Sequence, residues 1–157
     1  EALDRESSRS IREHAPYSII ILDVDHFKQF NDTYGHKCGD LVLQSLANFL
    51  NENTRHGDIV CRYGGEEFVI LMTDTAPDVA YQRAETFRKQ FEKLTVEFDG
   101  RYLTCTFSTG IASFPSHADT GEALLSLADM ALYQSKADGR NRVTVYSREK
   151  QYQPLDD

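Results

Sequence analysis

The sequence predicts an α/β (α+β) domain, a mixed or largely antiparallel sheet with helices packed on it. Three observations predict it. Ile19, Ile20, Ile21 and Leu22 are consecutive large aliphatics, which marks a strand buried on both faces. Short β-branched and aromatic runs flank Gly64-Gly65 and Asp99-Gly100, so each pair reads as a hairpin turn. Longer stretches between these runs carry apolar residues at helical spacing. The resulting order, β-α-α-β-β-α-β-β-α-β, mixes hairpins with helical crossovers.

The totals bound what the domain does. With 157 residues, of which 40% are hydrophobic and 27% charged, the chain is one globular domain with room for a core. A net charge of −8 excludes a general nucleic-acid binder, which needs a basic surplus against phosphates. It leaves room for a small anionic ligand carried by metal ions. Cys38, Cys61 and Cys105 have no metal-type spacing and read as free thiols of a reducing cytoplasm. No apolar run is long enough for a membrane span. The chain opens at Glu1 inside a helical pattern, so it is expected to be a piece of a longer protein.

Residues 1–14 are polar and helix-compatible, with Leu3 and Ile11 as their large apolar side chains, and Pro16 ends that helix. The strand from Tyr17 closes on Asp23-Val24-Asp25. Carboxylates two apart share one side of a strand, and strand ends are where α/β proteins place ligand chemistry; each could equally cap the next helix. A short helix over residues 26–34 puts Phe27 and Phe30 on one face, and Gly35 breaks it. Gly39-Asp40 opens a longer helix to about Asn53, striped by Val42, Leu46, Phe49 and Leu50, with Asp40 as a candidate N-cap.

Arg55-His56-Gly57-Asp58 is the turn into a hairpin built of residues 59–61 and 69–72, with Gly64-Gly65 as its two-residue turn. Glu66 and Glu67 sit directly on that turn. They are either solvated decoration or ligands of a divalent cation beside a phosphate, the glycines allowing close approach. Residues 76–94 form a helix with Pro77 in its first turn and Ala80, Ala84, Phe87 and Phe91 on one face. A hairpin turns at Asp99-Gly100, and its second strand is drawn through Phe107 to Phe114, where Gly110 implies a bulge or a close backbone contact. Residues 121–136 are a helix, and Val143 to Tyr146 a last strand.

Taken together, four segments carry a resemblance: Asp23-Val24-Asp25-His26-Phe27-Lys28; Asn31-Asp32-Thr33-Tyr34-Gly35-His36 with Gly39-Asp40; Arg62-Tyr63-Gly64-Gly65-Glu66-Glu67-Phe68; and Lys136-Ala137-Asp138-Gly139-Arg140-Asn141. In this order they resemble the GGDEF family of diguanylate cyclases, in the variant whose signature reads GGEEF. The resemblance covers about residues 15–147 and treats the chain, 1–157, as a single catalytic domain. It implies a five-stranded central sheet surrounded by helices, similar to the palm of nucleotidyl cyclases and polymerases. The implied reaction condenses two GTP into cyclic di-GMP and two pyrophosphates, across a homodimer.

The resemblance also implies roles. Asp23, Glu66 and the carbonyl of Val24 look like metal ligands for two Mg²⁺ or Mn²⁺ ions per site. Glu66 is also the family's candidate base, Glu67 assists, and Lys28 faces the phosphates. Asn31 and Asp40 resemble the pair that reads the guanine edge, with Phe27 and His36 shaping its pocket and Gly64 and Gly65 leaving room for the nucleotide. Lys136 and Arg140, four apart and so on one helical face if the helix reaches them, resemble triphosphate contacts. Arg55 and Asp58 form an R-x-x-D pair like the family's product-inhibition site, with Arg88 as a secondary contact. The family's upstream D-x-L-T-x-L-x-N-R segment is not present. A catalytically inactive domain that binds cyclic di-GMP or GTP is the alternative, and the intact signature argues against it.

Overall fold

The computed structural model describes residues 15–149, together with Ala2, Arg5, Glu6, Ser8 and Arg9. The expected apolar positions Leu3 and Ile11 of the first helix lie outside the described residues. The elements run β1 (Tyr17–Val24), α1 (Phe27–Tyr34), α2 (His36–Asn53), β2 (Ile59–Arg62), β3 (Glu67–Thr73), α3 (Pro77–Lys93), β4 (Val96–Phe98), β5 (Arg101–Leu103), β6 (Phe107–Phe114), α4 (Gly121–Ala137) and β7 (Val143–Val145). Five strands make one sheet in the order β2-β3-β1-β6-β7. All its pairs are antiparallel except β6 with β7, so the sheet is mixed.

β1 is central because its residues are apolar on both faces. Alternation sends Ile20 and Leu22 to one side, where Phe68, Ile70 and Met72 of β3 join Val42, Leu46 and Leu50 of α2 and Ala84, Phe87 and Phe91 of α3. It sends Tyr17, Ile19 and Ile21 to the other, against Leu124, Ala128 and Leu132 of α4. Each such side chain contributes about 1.5–3 kcal/mol when fully buried, which secures the register of the central strand.

Gly110 is explained by close packing. A Cβ there would stand 2.1 Å from the carbonyl oxygen of Ala128 and 2.2 Å from the amide nitrogen of Leu132, so β6 and α4 meet backbone to backbone. The Asp99-Gly100 turn forms as expected, with φ of 52° and 77°. The strand after it does not run on. β4 and β5 form their own two-stranded sheet, and β6 starts afresh at Phe107 within the central one.

Two further expectations change. α2 begins at His36, straight after Gly35 at φ 91°, so Asp40 lies within the helix and is not its N-cap. A carboxylate one turn inside has no cap to make, which frees Asp40 for another partner. α4 ends at Ala137, so Lys136 and Arg140 do not share a helical face. Arg140 follows in a left-handed turn at φ 63°.

Candidate functional site

The carboxyl end of β1 meets the β2–β3 turn. Register places Asp23 opposite Glu67, and the Val24 amide donates to the carbonyl of Glu66 at 3.3 Å. The turn is wider than a two-residue hairpin. The ladder ends at Arg62 with Phe68, the Tyr63 amide donates to the Glu67 carbonyl at 2.8 Å, and neither Gly64 nor Gly65 has a positive φ. Their role is space: a Cβ on Gly64 would meet Glu67 Oε2 at 3.3 Å, and Gly65 faces no atom within 4 Å. The Arg62 guanidinium closes the turn, donating to the Gly65 carbonyl at 2.6 Å and 3.1 Å.

A cleft of about 140 Å³ opens beside this turn, and Asp23, Val24, Phe27, Lys28, Glu66, Lys136 and Arg140 line it. Lys136 Nζ donates to Asp23 Oδ2 at 2.6 Å. Burial pushes the Asp23 carboxyl above its ordinary range; Lys136 opposes this and Asp25 adds to it. Burial also raises Glu66, with the charge of Asp23 next in weight, and raises Glu67 for the same two reasons in the same order. At Asp23 burial outweighs Lys136, and at Glu66 and Glu67 the charge of Asp23 adds to burial.

At the other side of α1 lies the set expected to hold a base. Asn31 Oδ1 is buried with no hydrogen-bond partner among the described residues. It sits where a side chain at Gly39 would go: a Cβ there would be 1.8 Å from Asn31 Oδ1 and 3.1 Å from Phe27 Cζ. Asp40 faces a second cavity of about 440 Å³ between α2 and the hairpin, with Leu43, Gln44, Val60, Arg62 and Phe68. His36 is exposed on the first turn of α2 and does not line that cavity.

Arg55 and Asp58 do form a pair. Arg55 donates to Asp58 Oδ2 through its amide at 2.9 Å and to Oδ1 through Nη2 at 3.2 Å. The Asp58 side chain is fully buried because Arg83 of α3 also reaches Oδ2, at 2.8 Å. Burial alone would raise this carboxyl, but the hydrogen bonds from Arg55 and Arg83 outweigh it and hold it below its ordinary range. Arg88 is not part of this cluster. Its guanidinium pairs with Glu85 at 2.7 Å and donates to Asn141 Oδ1 at 3.0 Å, because five residues along a helix turn it to a different face from Arg83.

Arg83 and Leu43 were not singled out from the sequence, and Arg62 and Asn141 stood in the motif segments without a role. Leu43, three residues after Asp40, follows from helical spacing. The partners of Arg83 and Asn141 have no local signal, since Asp58 and Arg88 lie 25 and 53 residues away.

Comparison with known proteins yields concordant matches. Residues 1–142 match the family described as diguanylate cyclase, GGDEF domain. Diguanylate cyclase A of Treponema denticola is 41% identical over 128 residues, which is 82% of this chain and 34% of that protein. Response regulator PleD of Caulobacter vibrioides is 45% identical over 130 residues, 82% of this chain and 29% of that protein. The chain thus spans about a third of the length of these curated relatives. The crystal structure of the GGDEF domain of DgcB from Caulobacter crescentus in complex with c-di-GMP superposes with a TM-score of 0.86 at 33% identity, covering 92% of this chain and 86% of that one.

Proposed function

Because the chain belongs to the GGDEF family of diguanylate cyclases, we propose that it condenses two molecules of GTP into cyclic di-GMP and two pyrophosphates. The observation that carries this reading is the cleft at the end of β1. There Asp23 and Glu66, with Glu67 beside them, have carboxyls raised first by burial, and Asp23 adds repulsion on the two glutamates, while Lys136 and Arg140 line the same space. Such a group of carboxylates beside cationic side chains suits a divalent cation together with a polyphosphate.

The donor set fits Mg²⁺ or Mn²⁺, two per site: Asp23 and Glu66 carboxylates and the Val24 carbonyl, with Glu67 assisting. Among the described residues no three His, Cys, Asp or Glu side chains alone are arranged to hold a metal, so main-chain and phosphate oxygens complete the set. When bound, the metal lends positive charge to the phosphates and acidifies the attacking hydroxyl.

The chain's own residues do the rest. Lys28, Lys136 and Arg140 hold the phosphates. Asn31, whose buried Oδ1 has no partner among the described residues, and Asp40 take the guanine edge. Asp40 accepts from the base N1 and N2 donors. Phe27 packs under Gly39 and shapes the pocket. In each half-reaction a 3′-oxygen bonds to the α-phosphorus of the other nucleotide, the α–β bridging bond breaks, and pyrophosphate leaves with its electron pair. Glu66 is assigned the hydroxyl proton. One domain brings one GTP, so two domains face each other about a two-fold axis. The exposed guanidinium of Arg55, with Asp58, is assigned the binding of product.

The test is incubation with GTP and Mg²⁺, followed by nucleotide separation, over a hundredfold range of protein concentration. Cyclic di-GMP and pyrophosphate are expected, with initial rate rising more steeply than linearly with enzyme. No dinucleotide at any concentration would favour the binding-module alternative. A strictly linear rate from a monomer would refute the two-domain arrangement.

A further inference from the structure

The turn after α4 is costly and heavily braced. Gly139, Arg140 and Asn141 have φ of 123°, 63° and 47°. Left-handed backbone suits Gly and, less well, Asn, and a turn needing only to reverse the chain would carry one of these at each position. Arginine stands in the middle instead, and its side chain lines the phosphate cleft. Strain of this kind persists where the surroundings over-determine it.

The surroundings here are specific. The Asn141 amide donates to Asp25 Oδ2 at 3.0 Å. Asp25 is itself buried and fixed by the hydroxyls of Thr106 and Ser108, at 2.6 Å and 2.5 Å. The Asn141 side chain is gripped from α3: Oδ1 accepts from Arg88 Nη1 at 3.0 Å, and Nδ2 donates to Glu92 Oε2 at 2.5 Å. Asn141, next to Arg140, thus ties the turn after α4 both to α3 and to Asp25, which lies just past the end of β1 and two residues after Asp23.

We infer that Asn141, clasped by Asp25 on one side and by Arg88 and Glu92 on the other, is the positioning residue that aims Arg140 at the nucleotide's phosphates. The inference rests on the GTP reading above and assigns to Arg88 a role unconnected with product inhibition. The brace acts on the phosphates alone, because nothing in it reaches Asn31 or Asp40.

Asn141→Gly tests this. Glycine accepts the left-handed φ and keeps the amide bond to Asp25, so the fold survives while both side-chain grips go. Affinities are measured by calorimetry for GMP and for a GTP analogue with a methylene bridge between the α and β phosphorus atoms, with Mg²⁺. The analogue should bind roughly tenfold more weakly, the scale of one misdirected charged hydrogen bond, with GMP unchanged. Arg88→Met should do the same from the other side of the clasp. In an Arg140→Ala background Asn141→Gly should add nothing further, since the group it positions is gone. Unchanged analogue affinity in Asn141→Gly, an equal loss for GMP, or full additivity with Arg140→Ala overturns the positioning role. Wild-type protein that binds the analogue no better than GMP overturns the GTP reading itself, and the inference with it.

Discussion

Lys136 Nζ lies 2.6 Å from Asp23 Oδ2, across 113 residues of sequence. The ammonium is about one-third exposed and the carboxylate almost wholly buried. This pair joins the end of α4 to the end of β1 across the cleft beside the β2–β3 turn. It also makes Lys136 a competitor for any cation that Asp23 would hold.

Removing the competitor should therefore separate metal binding from nucleotide binding. Lys136→Met is expected to bind Mn²⁺ alone severalfold more tightly, roughly three- to tenfold for one nearby unit charge. The same variant should bind GTP more weakly, since the proposed phosphate contact is lost. Mn²⁺ titration followed by electron paramagnetic resonance reads the first effect and calorimetry the second. A fall in both affinities would mean that Lys136 merely holds Asp23 in shape.

The three raised carboxyls predict a pH dependence. A carboxyl whose folded-state value lies above its unfolded one costs stability when ionised. That cost disappears as pH falls through the raised value and stops changing below the ordinary range of about 4. Asp23, Glu66 and Glu67 are all raised. The proposed Mg²⁺ site needs them ionised, so the upward shift of the melting temperature by Mg²⁺ should be largest near neutrality and shrink steadily on acidification. Glu66→Gln should abolish product formation, by about 10²-fold or more, and reduce the Mg²⁺ shift while the metal-free protein melts no lower than wild type. An undiminished Mg²⁺ shift in that variant would remove Glu66 from the metal's ligands.

Gly39 and Gly110 should respond differently to the same added methyl. At Gly39 the obstacle is the end of the Asn31 side chain, which can swing away. Gly39→Ala should cost about 1 kcal/mol of stability but raise the KM for GTP and narrow the preference over ATP. At Gly110 the obstacles are the backbone of Ala128 and Leu132, which cannot yield without moving α4. Gly110→Ala should destabilise by about 3 kcal/mol or more. Thermal melts and steady-state kinetics on the two variants distinguish the cases; equal stability losses would contradict the account.

Arg83 should be a stability residue with an acid limit. Its guanidinium pairs with the buried Asp58 carboxylate, which Arg55 and Arg83 hold below the ordinary range. A lowered carboxyl contributes stability above its unfolded value, and the contribution is lost as pH falls through the folded one. Arg83→Met is therefore expected to cost about 2 kcal/mol near pH 7, with the deficit closing below about pH 4. Denaturant melts at several pH values measure it, and a deficit independent of pH would point to lost packing on Phe87 instead, over which the guanidinium lies at 5.7 Å.

The linear sequence was sufficient for whatever depends on near neighbours. The aliphatic run of β1, the stripes of α2, α3 and α4 and the Asp99-Gly100 turn are all local patterns. The four motif segments likewise identified the family and the residues expected at its site, because each is contiguous. Tertiary structure decided what depends on distant chain segments meeting. It made Asp40 an interior helix residue, widened the turn at Gly64 and Gly65, and broke the strand before Phe107. It gave Arg83 to Asp58 and Arg88 to Asn141, two arginines of one helix sent to different partners. Side-chain partners across the sheet and between helices are set by packing geometry, and no local propensity encodes them.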